Sequence, residues 1–334
     1  MGAGSMGSII GGYIAKAGES VVLIDVNKQH VDALNKNGLH IIGMTDLTIP
    51  VQAILPEEMK GIYDFVIYVP KAVYNEAALD SLLPHIGPDS MVMTLQNGIN
   101  EDAVAARVGA ERTLGGIINW GGIWREPGVS ELATDENEMS FEIGELDGRI
   151  TERLQAAKQV LEHVCRTNLT QNLMSVRWAK LFINAAFSGV GTVIDGDYGA
   201  VLDNDKAVRA AWMVGQETLK TAIQLGHAKE PVMYVKPELL LFSTKAELEG
   251  KVKFSRLGMK GNRNVLPSML QDLRKGLPCE IEVINGYVQK KSRKVGLDTP
   301  VNDQVTEIIR ELDQGKRKLG THNLDDVKLP ELPD

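Results

Sequence analysis

The chain has 334 residues, 43% of them hydrophobic and 24% charged, with a formal net charge of −8 from 36 basic and 44 acidic side chains. That length exceeds most single cores, so two domains are expected, and the acidic balance argues against nucleic acid as a partner. No apolar run reaches the ~18 residues that a membrane-spanning helix needs. No secretory pattern opens the chain, and two distant cysteines, Cys165 and Cys279, suit a reducing compartment, so a cytoplasmic location is expected. The histidines are scattered without ligand spacing, which points to no metal site.

The first element is a glycine turn. Gly2, Gly4 and Gly7 in GAGSMG precede an apolar stretch with helical spacing (Ile9, Ile10, Tyr13, Ile14), and SVVLID then reads as a buried parallel strand ending on Asp25. This is the spacing of a dinucleotide-binding turn. The first glycine allows the bend, the second lets backbone approach a pyrophosphate, and the third lets the helix pack on the sheet. Ser5 and Met6 lie between them, where the helix start offers N–H groups to the phosphates. Asp25 falls 18 residues after Gly7, where a carboxylate accepts hydrogen bonds from the adenosine ribose; on charge it favours NAD over NADP, with Lys28 close enough to blur the preference. The strand that should lead into the turn would lie before residue 1. Without it a parallel sheet has a hydrophobic slot in its middle, and the expectation is that the start of the chain is placed some six residues too late.

Residues 20–144 alternate short apolar strands with helical stretches, as in an α/β domain. YDFVIYV (63–69) and SMVMTL (90–95) read as central strands joined by a crossover helix over 71–86. Lys71 follows the first strand and Gln96-Asn97-Gly98 the second, at the carboxyl edge where ligands gather in such sheets. Glycine-rich segments from Thr113 to Gly144 suggest further, partly antiparallel strands that close the sheet, with Trp120 and Trp124 in packing roles. From Arg149 the pattern is helical, at about 150–165, 172–188, 204–226, 268–276, 279–295 and 301–315. The domain expectation is 1–166 for a Rossmann domain, 167–320 for an all-helical substrate and dimerisation domain, and 321–334 for a loose tail.

Two helical segments carry candidate chemistry. In VRWAKLFINAAFS, Lys180, Asn184 and Ser188 are spaced four apart, which stacks them on one face of an α-helix whose other positions are apolar. A lysine so placed is costly unless paired or used; the plainer alternative is a snorkelling lysine at a domain boundary. Ser268, three residues before Gln271, has the pattern of a capping box and is either that cap or a hydroxyl for a substrate carboxylate. Glu280, in an apolar run that begins a later helix, reads as a salt-bridge residue, a first-turn acid or an active-site acid.

Taken together, GAGSMG (2–7), LQNG (95–98), WAKLFIN (178–184), PSMLQD (267–272), EIEVINGYV (280–288) and TPVN (299–302) resemble the ketopantoate reductases (2-dehydropantoate 2-reductases) over nearly the whole chain. The resemblance implies an N-terminal Rossmann domain, here lacking its first strand, followed by an all-helical domain, with substrate and nicotinamide meeting in the cleft between them. It implies Lys180 as general acid, Asn184 and Ser268 as substrate-binding residues, and Glu280 as a catalytic and cofactor-side acid. Asn97 and Lys71 match positions that contact cofactor and shape the cleft, and Ser188 stands where many members carry a second asparagine. The implied reaction is reduction of ketopantoate to pantoate, a step toward pantothenate and coenzyme A, with NADP(H) by resemblance or NAD(H) by Asp25, and a slight lean to NAD(H). A homodimer is the assembly the family suggests. Ser188, Asp25, Gly276-Leu-Pro-Cys279 before the glutamate and a long link over 227–265 motivate an alternative, an R-2-hydroxyacid dehydrogenase for another branched or aromatic 2-oxo acid. A non-catalytic dinucleotide sensor is the alternative of another class.

Overall fold

The computed structural model describes residues 1–334 and divides into two units, Met1–Leu173 and Met174–Asp334. In the first, α1 (Ser5–Lys16) starts straight from the glycine turn, with Gly4 at its N-cap. It is followed by β1 (Leu23–Ile24), α2 (Lys28–Asn37), β2 (Leu39–Gly43), β3 (Leu47–Ile49), β4 (Ala53–Ile54) and β5 (Phe65–Tyr68). Then come α3 (Asn75–Leu82), β6 (Met91–Thr94), α4 (Glu101–Val108), β7 (Thr113–Ile118), β8 (Gly122–Glu126), β9 (Val129–Leu132), β10 (Ser140–Glu145), α5 (Glu152–Leu161) and β11 (Arg166–Leu169).

The expected strands at 63–69 and 90–95 are β5 and β6, paired in parallel within a sheet ordered β11-β10-β7-β6-β5. The β7–β10 pair is antiparallel, in line with the glycine-rich pattern of that stretch. The β8–β9 hairpin does not join that sheet. It pairs in parallel with β2 to make a separate four-stranded sheet ordered β3-β2-β9-β8, whose face is covered by α1: built as alanine, Gly12 would meet the Leu39 side chain at 2.5 Å. Trp120 is buried edge-on against Phe141, with ring centroids 5.9 Å apart.

The six-residue strand expected in SVVLID is only two residues long and pairs with β4 alone. The reason lies beside it. Between β1 and β5 the parallel sheet is interrupted by a cavity of about 980 Å³, lined in part by Ile10, Ile14, Leu23, Phe65, Ile67 and Val69. Met1 lies at one end of that slot. Its amine donates to the Ile67 carbonyl at 2.8 Å, its carbonyl accepts from Val69 N at 3.0 Å, and Gly2 N donates to the Ile24 carbonyl at 2.8 Å. Met1 and Gly2 thus bridge β5 and β1.

The second unit is helical: α6 (Leu173–Ile183), α7 (Gly189–Val193), α8 (Tyr198–Asp203), α9 (Asp205–Gln224), α10 (Lys245–Gly258), α11 (Ser268–Arg274), α12 (Asn285–Lys294) and α13 (Pro300–Asp313). The split at residues 173 and 174 lies beyond the expected 166, because β11 pairs with β10 and completes the first sheet. Asn204 caps α9, accepting from Lys206 N and Ala207 N, and the buried Trp212 of α9 packs edge-on against Phe182 and Phe187 at 5.9 and 6.5 Å. The link over 227–265 contains α10, whose start is a capping box between Thr244 and Glu247. The expected loose tail is instead docked. Asn323, Leu324 and Val327 are buried, and Asn323 Nδ2 donates to the Val193 carbonyl at 3.3 Å; three inward side chains outweigh the polar, proline-containing composition.

Candidate functional site

In the first unit the three glycines have three different physical requirements. Gly2 has φ +83°, and a Cβ there would lie 2.5 Å from Pro70 N. At Gly7 a Cβ would lie 2.2 Å from the Gly2 carbonyl oxygen, so only hydrogen fits where the helix crosses the turn. At Gly4 a Cβ would meet nothing within 4 Å: the approach to this backbone is open, as a pyrophosphate requires. The N-terminus of α1 has no side-chain cap, so its first-turn N–H groups, those of Ser5, Met6 and Gly7, face outward as an anion site. Met6 itself turns inward, against the core that also holds Ile9. These residues fit a dinucleotide.

Asp25, half-buried after β1, accepts the Asn27 N–H at 2.9 Å through Oδ1. Lys28 forms an exposed i,i+4 pair with Asp32 at 2.8 Å. Lys71 follows β5 and caps a short 3₁₀ turn over Ala72–Tyr74; Asn97 follows β6 and is half-buried, its carbonyl accepting from Asn100 Nδ2 at 2.7 Å. The two loops are tied by a network that sequence reasoning misses. Gln96 Nε2 donates to the Pro70 carbonyl at 2.6 Å and to Asn75 Oδ1 at 2.7 Å, and Asn75 also accepts from the buried Tyr68 hydroxyl at 3.1 Å. The polar run LQNGIN after an apolar strand is its one signal in the sequence.

In the second unit the helix bearing Lys180 does not run straight to Ser188. α6 ends at Ile183, and Asn184–Ser188 form one π-helical stretch before α7, with Gly189 N bonding back to the Asn184 carbonyl. A π turn adds a residue, so the simple one-face stacking of Lys180, Asn184 and Ser188 fails at its last member. Ser188 is buried and its hydroxyl pairs with the Tyr198 hydroxyl at 2.8 Å. Lys180 and Asn184 are both partly exposed. Burial in low dielectric, and the charge of the buried Arg177 one turn earlier, lower the Lys180 pKa to about 8.

A widened turn also disturbs the helical carbonyl ladder. The Ala185 carbonyl within it accepts from Asn285 Nδ2 at 3.0 Å, and Asn285 is in turn bonded to Asn302 Oδ1 at 2.9 Å. Both asparagines are fully buried, and Gly189 leaves room for them, since a Cβ there would lie 3.0 Å from Asn285 Nδ2. The INGY and TPVN segments therefore hold the π stretch in place.

Ser268 opens α11, but as its first residue and not its cap: Pro267 occupies the N-cap without a side-chain bond. Gln271 spends its amide on the Leu266 carbonyl at 2.9 Å. The capping-box reading of Ser268 is therefore corrected, and its hydroxyl, half-buried, is not consumed by that role. Pro267 packs against α7, where a Cβ on Gly191 would lie 3.0 Å from its ring, so Ser268 starts next to the helix that continues from Lys180. Glu280 is buried and precedes a 3₁₀ turn over Ile281–Val283; α12 starts only at Asn285. The first-turn-acid reading is corrected accordingly: the irregular Ile284 (φ −109°, ψ −97°) separates Glu280 from the helix. No group of three or more His, Cys, Asp or Glu side chains is arranged to hold a metal, and no helix is long and apolar enough to cross a membrane.

Comparison with known proteins agrees with this arrangement. Residues 1–148 match the family described as ketopantoate reductase PanE/ApbA, and residues 172–313 match its C-terminal counterpart. A 2-dehydropantoate 2-reductase of Pyrococcus horikoshii is 32% identical over 304 residues, covering 90% of this chain and 92% of the relative. One from Pyrococcus abyssi is 31% identical over 313 residues, covering 90% and 93%. Among solved structures, D-mandelate dehydrogenase with NADH and anilino(oxo)acetate superposes with a TM-score of 0.79 at 24% identity, covering 94% of this chain and 97% of that one. A PanE/ApbA family ketopantoate reductase from Ralstonia eutropha JMP134 gives 0.78 at 21%, covering 95% and 98%.

Proposed function

We infer, from the premise that the chain belongs to the ketopantoate reductase family, that it reduces ketopantoate to pantoate in the cytoplasm. The observation that carries this reading is Lys180, whose amine is held by burial and by Arg177 at a pKa of about 8. A reduced nicotinamide, when bound, supplies the hydride. Lys180 does the rest of the chemistry at the carbonyl: its ammonium hydrogen-bonds the ketone oxygen, stabilises the alkoxide that develops there and donates the proton. Near neutral pH it is mostly protonated yet close enough to its pKa to release the proton readily. In this reading Asn184, one turn on, and the Ser268 hydroxyl bind the substrate's hydroxyl and carboxylate, and Glu280 holds the lysine in its working orientation.

Cofactor binding falls to Gly2, Gly4, Ser5, Met6 and Gly7 at the phosphates, with Lys71 and Asn97 on the loops toward the nicotinamide. Asp25 accepts from the ribose diol and repels a 2′-phosphate, so NADH is the expected reductant. A homodimer is the expected assembly, by analogy with the dimeric ketopantoate reductase of the same fold from Staphylococcus aureus; sedimentation at micromolar concentration checks it.

Initial rates with ketopantoate, NADH against NADPH, test the reading. Faster turnover with NADH supports both the reaction and the role of Asp25. Turnover on 2-oxoisovalerate or phenylglyoxylate at least tenfold above that on ketopantoate would reassign the chain to the R-2-hydroxyacid dehydrogenases, and cofactor binding without turnover on any 2-oxo acid would make it a sensor.

A further inference from the structure

His30 is fully buried in α2 and spends both ring nitrogens on backbone. The Gly128 N–H, in the tight turn between β8 and β9, donates to Nδ1 at 2.9 Å. That bond makes Nδ1 an acceptor and leaves the proton on Nε2, which donates to the Ala3 carbonyl at 2.8 Å. The Ser8 hydroxyl donates to the same carbonyl at 2.5 Å and lies 3.1 Å from Nε2. Ala3 is the residue between the first two glycines of the turn. The ring is fixed edge-on against Trp124, with centroids 6.4 Å apart.

The same histidine is linked to Asp25. Its own backbone N–H donates to Asn27 Oδ1 at 3.2 Å, and Asn27 N donates to Asp25 Oδ1 at 2.9 Å. An unbroken path of hydrogen bonds therefore runs from the ribose-side carboxylate, through the N-cap of α2 and the imidazole, to the carbonyl that shapes the phosphate turn.

We propose that His30, assisted by Ser8, is the positioning residue of the dinucleotide site, setting the distance and orientation between the phosphate turn and Asp25. It touches no cofactor atom itself. The turn is anchored on one side by Gly2 N and Ala3 N, which both donate to the Ile24 carbonyl, and the Ala3 carbonyl is the point on its other side where an outside donor holds it. A buried imidazole needs partners for both nitrogens; here the partners lie on two different loops, so satisfying the ring also ties the phosphate turn to the β8–β9 turn. The proposal rests on the dinucleotide reading of this unit.

Two conservative variants separate the two nitrogens, because a glutamine amide reaches the Nε2 position and an asparagine amide the Nδ1 position. His30→Gln keeps a donor to Ala3, and its NADH Kd by calorimetry should stay within about threefold of wild type, whereas His30→Asn loses that donor and should weaken NADH about tenfold. Both lose one buried bond, so both should lower Tm to a similar extent. At saturating NADH, kcat should be unchanged in each. In the cofactor-free protein, amide exchange at residues 4–7 should accelerate in His30→Asn and in Ser8→Ala but not in His30→Gln. Equal Kd values in the two His30 variants, or turn exchange that follows Tm alone, would overturn the proposal. If wild type binds neither NADH nor NADPH, the dinucleotide reading fails, and the exchange pattern still decides whether His30 clamps the turn.

Discussion

Lys180 is held in a state that folding alone would not choose. Its pKa falls from 10.5 to about 8, chiefly through burial and further through Arg177. The folded protein thus binds fewer protons at this site than the unfolded chain between those values, and this group's contribution to stability rises with pH across that window. Below it the buried charge is a net cost. Lys180→Met should therefore raise stability at pH 7, by on the order of 1–3 kcal/mol, while turnover falls by roughly 10²- to 10⁴-fold and NADH affinity stays nearly unchanged. Denaturant melts and initial rates on the same samples check this; a variant that is less stable, or that keeps more than a few per cent of turnover, contradicts it. In wild type, ketone reduction at saturating substrate should decline as pH rises through about 8, because the amine must carry the proton it donates, and alcohol oxidation should show the opposite slope.

At the scale of elements, the π stretch after Lys180 stands only because another helix completes it. Asn285→Ala removes the donor to the Ala185 carbonyl and to Asn302 Oδ1, leaving two buried acceptors unserved, and should cost about 2–4 kcal/mol in urea denaturation. Turnover should fall with it, since the π stretch that this bond supports begins at Asn184 itself. The same bundle contains Glu217, whose carboxylate accepts from Val301 N at 3.0 Å and Asn302 N at 2.7 Å at the start of α13. Burial outweighs those two bonds and raises its pKa from 4.5 to about 7. The folded state binds the extra proton between those values, so this group's contribution falls as pH rises from 4.5 to 7. The stability difference between wild type and Glu217→Gln should change in favour of the glutamine across that window by on the order of 2 kcal/mol; a pH-independent difference would contradict it. These supports mark where the sequence stops being legible. The glycine turn, β5, β6 and the helix carrying Lys180 are written in local spacing and can be read from it. The π turn, the late start of α12 and the docked tail depend on partners a hundred or more residues away, such as Asn285 for Ala185 and Val193 for Asn323, which periodicity cannot express. His30 is invisible for the same reason, since a single histidine at a helix start has no pattern.

For the first unit as a whole, the slot of about 980 Å³ between β1 and β5 is a marked departure from close packing. The β5–β6 ladder uses the Asp64 and Tyr68 carbonyls, so by alternation Phe65 and Ile67 turn their backbone groups to the opposite edge, where Met1 already bonds Ile67. On the other side β1 spends the Leu23 and Asp25 N–H groups on β4, which directs Val22 and Ile24 toward the slot, where Ile24 accepts from Gly2. Phe65, Ile67 and Val69 are only half-buried, although a parallel sheet normally covers both faces. The Met1 amine at the end of the slot has its pKa lowered from 8.0 to about 5 by burial, so its charging destabilises the fold as pH falls through that range. Five residues at about 3.3 Å each, alternately Val and Ile and joined ahead of Met1, should complete both ladders, bury these side chains and replace the amine by an amide. That extension should raise the melting temperature of the first unit by on the order of 10 °C and protect the Ile24 and Ile67 amides from exchange. A Gly-Ser extension of the same length replaces the amine equally but brings no apolar side chains, and should give little of the gain. Equal melting temperatures for the two extensions would mean that the slot does not accept a strand, and that the sheet is stable with its centre open.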